Sequence, residues 1–440
     1  MMKRKALKFF SLIFVLTVLF STSIIFISAE SSFTDDYSDY AEAIYLYNCS
    51  FKKELYCVGE NKSLAVGPTA KIMTGLIACE MFKNDLDRAV PVSKEMLQDI
   101  SGNVMGLKAG MTVTVKDLLY GTICGGNNDA AQVLAITACG SVASFVDQMN
   151  LYARKLYMKN TQYSNPTGLD DLPSRTTLQD TLKLALAASK NSLYTEISST
   201  SMYKLSVDGM TVYNRNALIS QFSAQGYINK SAKGLIAGST ESGGYSLATF
   251  VSKGDMNYIC IVMGAEADAN EIYSYFIANS LLNSIPRKYS IKKIVSANET
   301  LGKLDVDLAI TDKNGATVPY TIPEDIHAYL PNDADFSKIS YKSYFHNKKL
   351  AAPIEKGTCI GGIDVYYGDE LVASSPLVAK KSVEKNYILS ALSGMKRFFG
   401  GRFFIIFIVI FVPSLVFYIY VVSIQSRRKK VSTIKYKRFY

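Results

Sequence analysis

No Cys-x-x-Cys pair occurs in this chain, and it holds only two histidines. Its seven cysteines (Cys49, Cys57, Cys79, Cys124, Cys139, Cys260 and Cys359) are scattered singly. An odd, widely spaced set argues against a disulfide framework and against zinc ligation. Cys49 and Cys57 flank an expected turn, and a bridge across that hairpin stays open as an alternative. Most of the others fall in apolar runs and read as buried small hydrophobes. His327 and His346 stand far from every motif below and read as isolated structural or surface residues. No cofactor is expected.

Acidic charge is missing from both ends. Residues 1–29 carry Lys3, Arg4, Lys5 and Lys8, an apolar run over 9–27, and Ser28-Ala29 before Glu30. This is the pattern of a cleaved signal peptide; an uncleaved anchor is the alternative, disfavoured by the polar interruptions and the Ala29 exit. Residues 403–424 hold no charge at all. At about 1.5 Å rise per residue such a run crosses a ~30 Å hydrocarbon core. Arg427, Arg428, Lys429 and Lys430 follow at once, with Lys435, Lys437 and Arg438 behind. The positive-inside rule places this tail in the cytoplasm and the preceding body outside the plasma membrane.

The net charge of +10 therefore does not point to nucleic acid. Setting aside the four basic residues of the leader and the ten from Lys396 onward leaves 34 basic against 38 acidic residues, a mildly acidic exported body. The basic excess belongs to membrane insertion and headgroup contact.

The body is long enough for two domains. Residues 43–47 and 54–58 read as a hairpin, and the loop 59–67 leads into a helix that buries Ile72, Leu76 and Ile77. Further helical patterns cover 114–121, the stretch from Asn128 to Gly140, and 142–158. Residues 245–252 and 258–263 read as strands joined at Lys253-Gly254-Asp255, followed by a helix over 270–282. Helices between strands imply a sheet covered by helices, α/β or α+β. From 291 to 378 short strands alternate with turns (317–322, 338–343, 363–367), which reads as a small all-β domain. The expected organisation is a leader at 1–29, a main domain at 38–284 and a β domain at 290–379. A juxtamembrane linker or amphipathic segment at 380–402, a transmembrane helix at 403–424 and a basic cytoplasmic tail at 425–440 complete it.

The run Val66-Gly67-Pro68-Thr69-Ala70-Lys71-Ile72-Met73-Thr74 resembles the nucleophile motif of the serine D-alanyl-D-alanine carboxypeptidases, a branch of the penicillin-binding proteins. The similarity continues through Val115-Lys116-Asp117-Leu118-Leu119, Asn128-Asp129-Ala130-Ala131, Gly140-Ser141 and Asn165-Pro166-Thr167-Gly168-Leu169-Asp170. It implies the penicillin-recognising serine-transferase fold: a five-stranded antiparallel sheet flanked by helices, a helical lobe, and the active site between them. A β-rich C-terminal module is implied as well.

The family's chemistry uses three clusters, and each is broken here. In Ser-x-x-Lys the Ser is the nucleophile and the Lys its base. Lys71 is retained, but the serine position is Pro68. Proline supplies neither a hydroxyl nor the backbone N–H that donates to the oxyanion, and one such donor alone is worth ~2.7–4 kcal/mol. Thr69, two residues from Lys71, points roughly 200° around the helix from it. In Ser-x-Asn the Asn is Asn128 and the serine position is Gly126. In Lys-Thr-Gly the positions are Ile236, Ala237 and Gly238, so the charge-assisted carboxylate contact is gone. The resemblance leaves the Ser239 backbone N–H as half of an oxyanion hole. Lys230-Ser231-Ala232-Lys233-Gly234 just upstream is the competing alignment, but the spacing from Gly238 to Gly243-Gly244-Tyr245 fits the family better.

The leading expectation is a membrane-anchored, catalytically inactive homologue that binds peptidoglycan stem peptides or cell-wall proteins. The opposing one is an active enzyme with an altered site, trimming the terminal D-alanine. A third is a passive surface protein, with Lys71 as an ion-pair partner and Asn128 as a helix cap.

Overall fold

The computed structural model describes residues 36–170, 174–207, 209–310, 316–347 and 349–436, with side chains to residue 426. The expected leader lies outside the described residues, as does the end of the basic tail. The chain divides into two compact units, Met1–Ser290 with Pro331–Asp333 and Ile291–Leu330 with Ala334–Tyr440.

The first unit is built on five antiparallel strands in the order β2-β1-β5-β4-β3: β1 (Ala41–Asn48), β2 (Lys53–Val58), β3 (Ala232–Thr240), β4 (Gly244–Lys253) and β5 (Met256–Ala265). Tyr258 to Met263 of β5 is one unbroken buried run, as a strand covered on both faces requires. The described residues include nine α-helices, in chain order α1 (Ala70–Phe82), α2 (Val115–Leu119), α3 (Asn128–Cys139), α4 (Val142–Lys155), α5 (Leu178–Lys190), α6 (Ser192–Ser199) and α7 (Tyr273–Lys288) in this unit, and α8 (Tyr387–Phe399) and α9 (Arg402–Tyr436) in the second. Helices α7 and α5 both pack against β1, β4 and β5. Helix α1 is apolar almost all round and buried except at Glu80 and Met81, which suits a helix at the centre of a lobe.

The expected hairpin and the strands on either side of residue 254 form as read. The Cys49–Cys57 bridge does not: Cys57 lies opposite Tyr45, so the register carries it four residues away from Cys49, and both are free thiols. Helices α5 and α6 had no counterpart in the sequence reading. Helix α7 also runs past its expected end, through Pro286. The carbonyl of Leu282, which proline cannot engage four residues on, accepts a hydrogen bond from Lys253 Nζ at 3.2 Å.

The second unit carries a six-stranded sheet in the order β8-β10-β11-β7-β6-β9, where β6 is Gly302–Asp307, β7 Thr317–Thr321, β8 Ile339–Phe345, β9 Leu350–Ala351, β10 Cys359–Tyr367 and β11 Glu370–Ala379. One of its cores gathers Val295, Ile322, Ile326, Ile360, Ile363, Val365 and Leu377. Helix α8, capped by the Asn386 side chain, leaves Ile388, Leu392, Met395 and Phe399 exposed along one stripe. Within α9, Arg402–Ser426 is long and apolar enough to cross a membrane. Pro413 lies inside this helix, and Ser414 Oγ donates to the Ile410 carbonyl at 2.7 Å.

Candidate active-site cleft

Pro68 stands in a single 3-10 turn, Gly67–Thr69, that runs directly into α1. A proline fits there because the first-turn N–H groups have no intrahelical acceptor. One turn on, Lys71 is the second residue of α1. Both line a cavity of about 410 Å³ with Ser101, Gly102, Asn103, Gly126, Asn128, Thr167, Asp170, Arg215, Ala237, Gly238, Ser239 and Glu241 among its other walls. Three segments more than fifty residues apart in sequence thus meet in one cleft, as the resemblance implies.

The third segment arrives on the edge strand β3. A Cβ added to Gly238 would lie 3.1 Å from the Cβ and the Cγ of Pro68, so the proline ring closes directly on this strand. Ala237 and Ser239 also face the cavity. Ile236 does not: it is 2 % exposed and belongs to the main hydrophobic core. Lys230 and Lys233, the competing alignment, are exposed and do not line the cavity, which favours the reading centred on Gly238.

At the start of α3, Gly126 takes a left-handed backbone, φ +61°. Asn128 is the first helical residue rather than the cap, which is Asn127. Its side chain donates to the Ser101 carbonyl at 2.7 Å, and its backbone N–H donates to the Asn103 carbonyl at 2.7 Å. Beside it the buried Asp129 carboxylate accepts from the backbone N–H groups of Met105, Gly106 and Leu107 at 2.9–3.0 Å. These bonds hold the 101–107 loop as one wall of the cleft.

Lys71 is 5 % exposed and has no acidic partner among the described residues; its Nζ donates to the Thr167 carbonyl at 2.6 Å. Burial, and then the positive charge of Arg215, lower its pKa to about 7. The amine is therefore poised between charged and neutral forms near physiological pH. Thr69 is 2 % exposed and its hydroxyl donates to the Val66 carbonyl, so it points away from the cleft as the helical geometry requires.

Arg215 escaped the sequence reading. It sits in Asn214-Arg215-Asn216, where nothing in the local pattern separates it from any other arginine in a polar turn. The fold carries it into the cleft, where Nη1 donates to Asn103 Oδ1 at 3.2 Å. It also lines a neighbouring cavity of about 450 Å³ with Val104, Val212, Tyr213, Phe222 and Tyr245. At the far rim, Asp170 accepts from the backbone N–H and the hydroxyl of Ser242. Partial burial raises this carboxyl, but the Ser242 hydrogen bonds outweigh it and hold the pKa below the ordinary value. Among the described residues no group of three or more His, Cys, Asp or Glu could hold a metal ion.

A sequence profile of the D-alanyl-D-alanine carboxypeptidases matches residues 35–267, more than half of the chain. The chain belongs to the D-alanyl-D-alanine carboxypeptidase family. Residues 289–385 match the C-terminal domain of penicillin-binding protein 5. The family member DacF of Bacillus subtilis (strain 168) is 26% identical over 359 residues, spanning 80% of this chain and 88% of its own. DacD of Escherichia coli (strain K12) is 28% identical over 333 residues, 73% of this chain and 81% of its own. Two solved structures share the fold at 22% identity and TM-score 0.59. They are penicillin-binding protein 3 of Streptococcus pneumoniae, covering 78% of this chain and 99% of its own, and DacD of Francisella tularensis, covering 78% and 94%.

Proposed function

We propose that this chain is a catalytically inert member of the D-alanyl-D-alanine carboxypeptidase family. It serves peptidoglycan metabolism at the outer face of the plasma membrane by binding wall stem peptides or cell-wall proteins. Family membership and the curated relatives, which are named D-alanyl-D-alanine carboxypeptidases, support the setting. The apolar stretch Arg402–Ser426 supports a single C-terminal anchor, and the basic residues behind it support a cytoplasmic tail.

The observation that carries the reading is Pro68 at the head of α1, one turn before Lys71 and packed on Gly238. Acyl transfer needs a nucleophile at this point, a base beside it and donors for the oxyanion. Lys71 supplies only the base. Gly126 removes a second hydroxyl, and Ala237 a third. The cleft itself stays open and polar, with Lys71, Asn128, Asn103 and Arg215 directed into it, which suits binding without turnover.

The test uses the full chain in detergent, exposed to a fluorescent penicillin and, separately, to a peptide ending in two D-alanines. The expected result is no covalent label and no released D-alanine, together with measurable binding to wall fragments. Either product would overturn the inert reading. The second reading, an enzyme with an altered site that trims the terminal D-alanine, draws on one feature: an amine with a pKa of about 7 is able to act as a general base.

A further inference from the structure

Lys71 is a buried amine that the inert reading leaves without work. Its Nζ donates to the Thr167 carbonyl, and no carboxylate lies within ion-pair distance of it among the described residues. The charged groups that share its cavity are Arg215, Asp170 from the loop after Pro166, and Glu241 from the β3–β4 turn. Asp170 is engaged by Ser242, and Glu241 stands exposed at the rim. The other walls are neutral: Asn128 from α3, residues 101–103 from the loop, and Ala237 to Thr240 from β3. Arg215 is therefore the charge that acts most on Lys71, and it repels an ammonium.

Three positions of the cleft that could each offer a hydroxyl hold Pro68, Gly126 and Ala237 instead. Among the described residues no side-chain donor stands within hydrogen-bond distance of Nζ. A neutral Lys71 thus keeps one N–H on Thr167 and leaves its lone pair open to a cavity of about 410 Å³. An amine that is desolvated and set beside another cation is an activated nucleophile. Carbon dioxide, in equilibrium with bicarbonate, is an electrophile small and uncharged enough to enter.

We propose that Lys71 is a carboxylation site: carbon dioxide adds to Nζ to give a carbamate, with Arg215 as its counter-ion. The amine lone pair attacks the carbon and the N–C bond forms as one C–O π pair moves onto oxygen. The proton that leaves nitrogen goes to solvent. The remaining N–H keeps the Thr167 carbonyl, and the new carboxylate lies in the cavity that the guanidinium lines, a planar donor suited to bidentate contact. The step turns two like charges into an ion pair, so Arg215 favours both the neutral amine that reacts and the anion that results. Burial and Arg215 bring Lys71 to about 7, so at pH 8 most chains present the reactive form. At pH 6 the ammonium prevails and the carbamate returns carbon dioxide. The site belongs to the free protein and does not rest on what the cleft binds.

The experiment is 13C NMR of the full chain in detergent with 13C-labelled bicarbonate. At pH 8 a carbamate resonance is expected that is absent from Lys71→Met and Lys71→Arg and fades on acidification to pH 6. The α-amino group, with a pKa of about 7.7–8.0, can add a second resonance, but that one survives both substitutions. Arg215→Leu should raise the bicarbonate needed for half occupancy about tenfold, the scale of one charge-assisted contact, and Arg215→Lys should raise it less. Bicarbonate should also raise the unfolding temperature of wild type and leave that of Lys71→Met unchanged, as for any group bound only by the folded state. The same unfolding curves establish that each variant is folded. No Lys71-dependent resonance at pH 8 would overturn the site and leave the inert reading of the cleft standing. A resonance indifferent to Arg215→Leu would overturn the ion pair. Covalent labelling by penicillin would overturn the inert reading alone.

Discussion

Pro68 and Gly238 meet across the cleft with no room between them: a methyl group on Gly238 would sit 3.1 Å from two carbons of the proline ring. The Pro68 ring thereby fills the space between the start of α1 and the edge strand.

Gly238→Ala is expected to destabilise the fold by about 1–3 kcal/mol, the usual cost of overpacking. Part of that cost should vanish in a Pro68→Ala background, which removes the Cγ contact and keeps the Cβ contact. Denaturant titrations of the two singles and the double give the coupling. Additive effects would show that the ring moves aside freely.

Restoring one hydroxyl is not enough to restore acylation. Pro68→Ser is expected to stay unlabelled by fluorescent penicillin, since Gly126, Ile236 and Ala237 remain. Adding Gly126→Ser meets only ordinary van der Waals contacts, the nearest the Ala237 carbonyl at 3.7 Å, but a left-handed backbone, φ +61°, and should cost about 1–2 kcal/mol. Labelling of the Pro68→Ser single variant would contradict this.

Lys71 should leave a signature in the pH dependence of stability. It is a base whose folded pKa, about 7, lies below its ordinary 10.5, so between these values the unfolded chain binds more protons than the folded one. Unfolding free energy therefore rises with pH across this window through Lys71, by at most about 1.4 kcal/mol per unit. The difference between wild type and Lys71→Met should grow from pH 7 to 10. Buried thiols such as Cys79 and Cys124, pushed up to about 12 by desolvation, affect both proteins alike and cancel. A constant difference would mean that Lys71 stays charged when folded.

Asp129→Ala removes the acceptor for three backbone N–H groups of the 105–107 loop. A loss of about 3 kcal/mol is expected, since buried donors left unpaired add to the lost charge-assisted bonds. Hydrogen exchange should localise the loosening to 101–107; uniform loss across α3 would argue for a general packing defect.

Native thiol titration should give a fast phase from Cys359, which is exposed, while Cys79, Cys124 and Cys260 are buried. Cys359→Ser should abolish that phase. Persistence of the fast phase would show that one of the half-buried thiols, Cys49, Cys57 or Cys139, reacts as readily.

Local pattern was enough for a good deal of this molecule. The hairpin at 41–58, helices α3 and α4 and strands β4 and β5 follow from apolar periodicity and turn residues. The apolar helix over 403–424 follows from the absence of charge, and Pro68 one turn before Lys71 is legible in the motif itself. Helices α5 and α6 are not among the elements read from the sequence, and α7 extends past the expected 282 through Pro286, whose freed carbonyl at Leu282 is satisfied by Lys253. Only the tertiary structure could show that Pro68 presses on Gly238, that Ile236 turns into the core while Ala237 faces the cleft, and that Asn128 holds a loop instead of capping a helix. Arg215 was illegible for the same reason. A side chain's charge is a local property, but what it faces depends on which distant segments the fold brings beside it, and burial next to Arg215 is what sets the proton on Lys71.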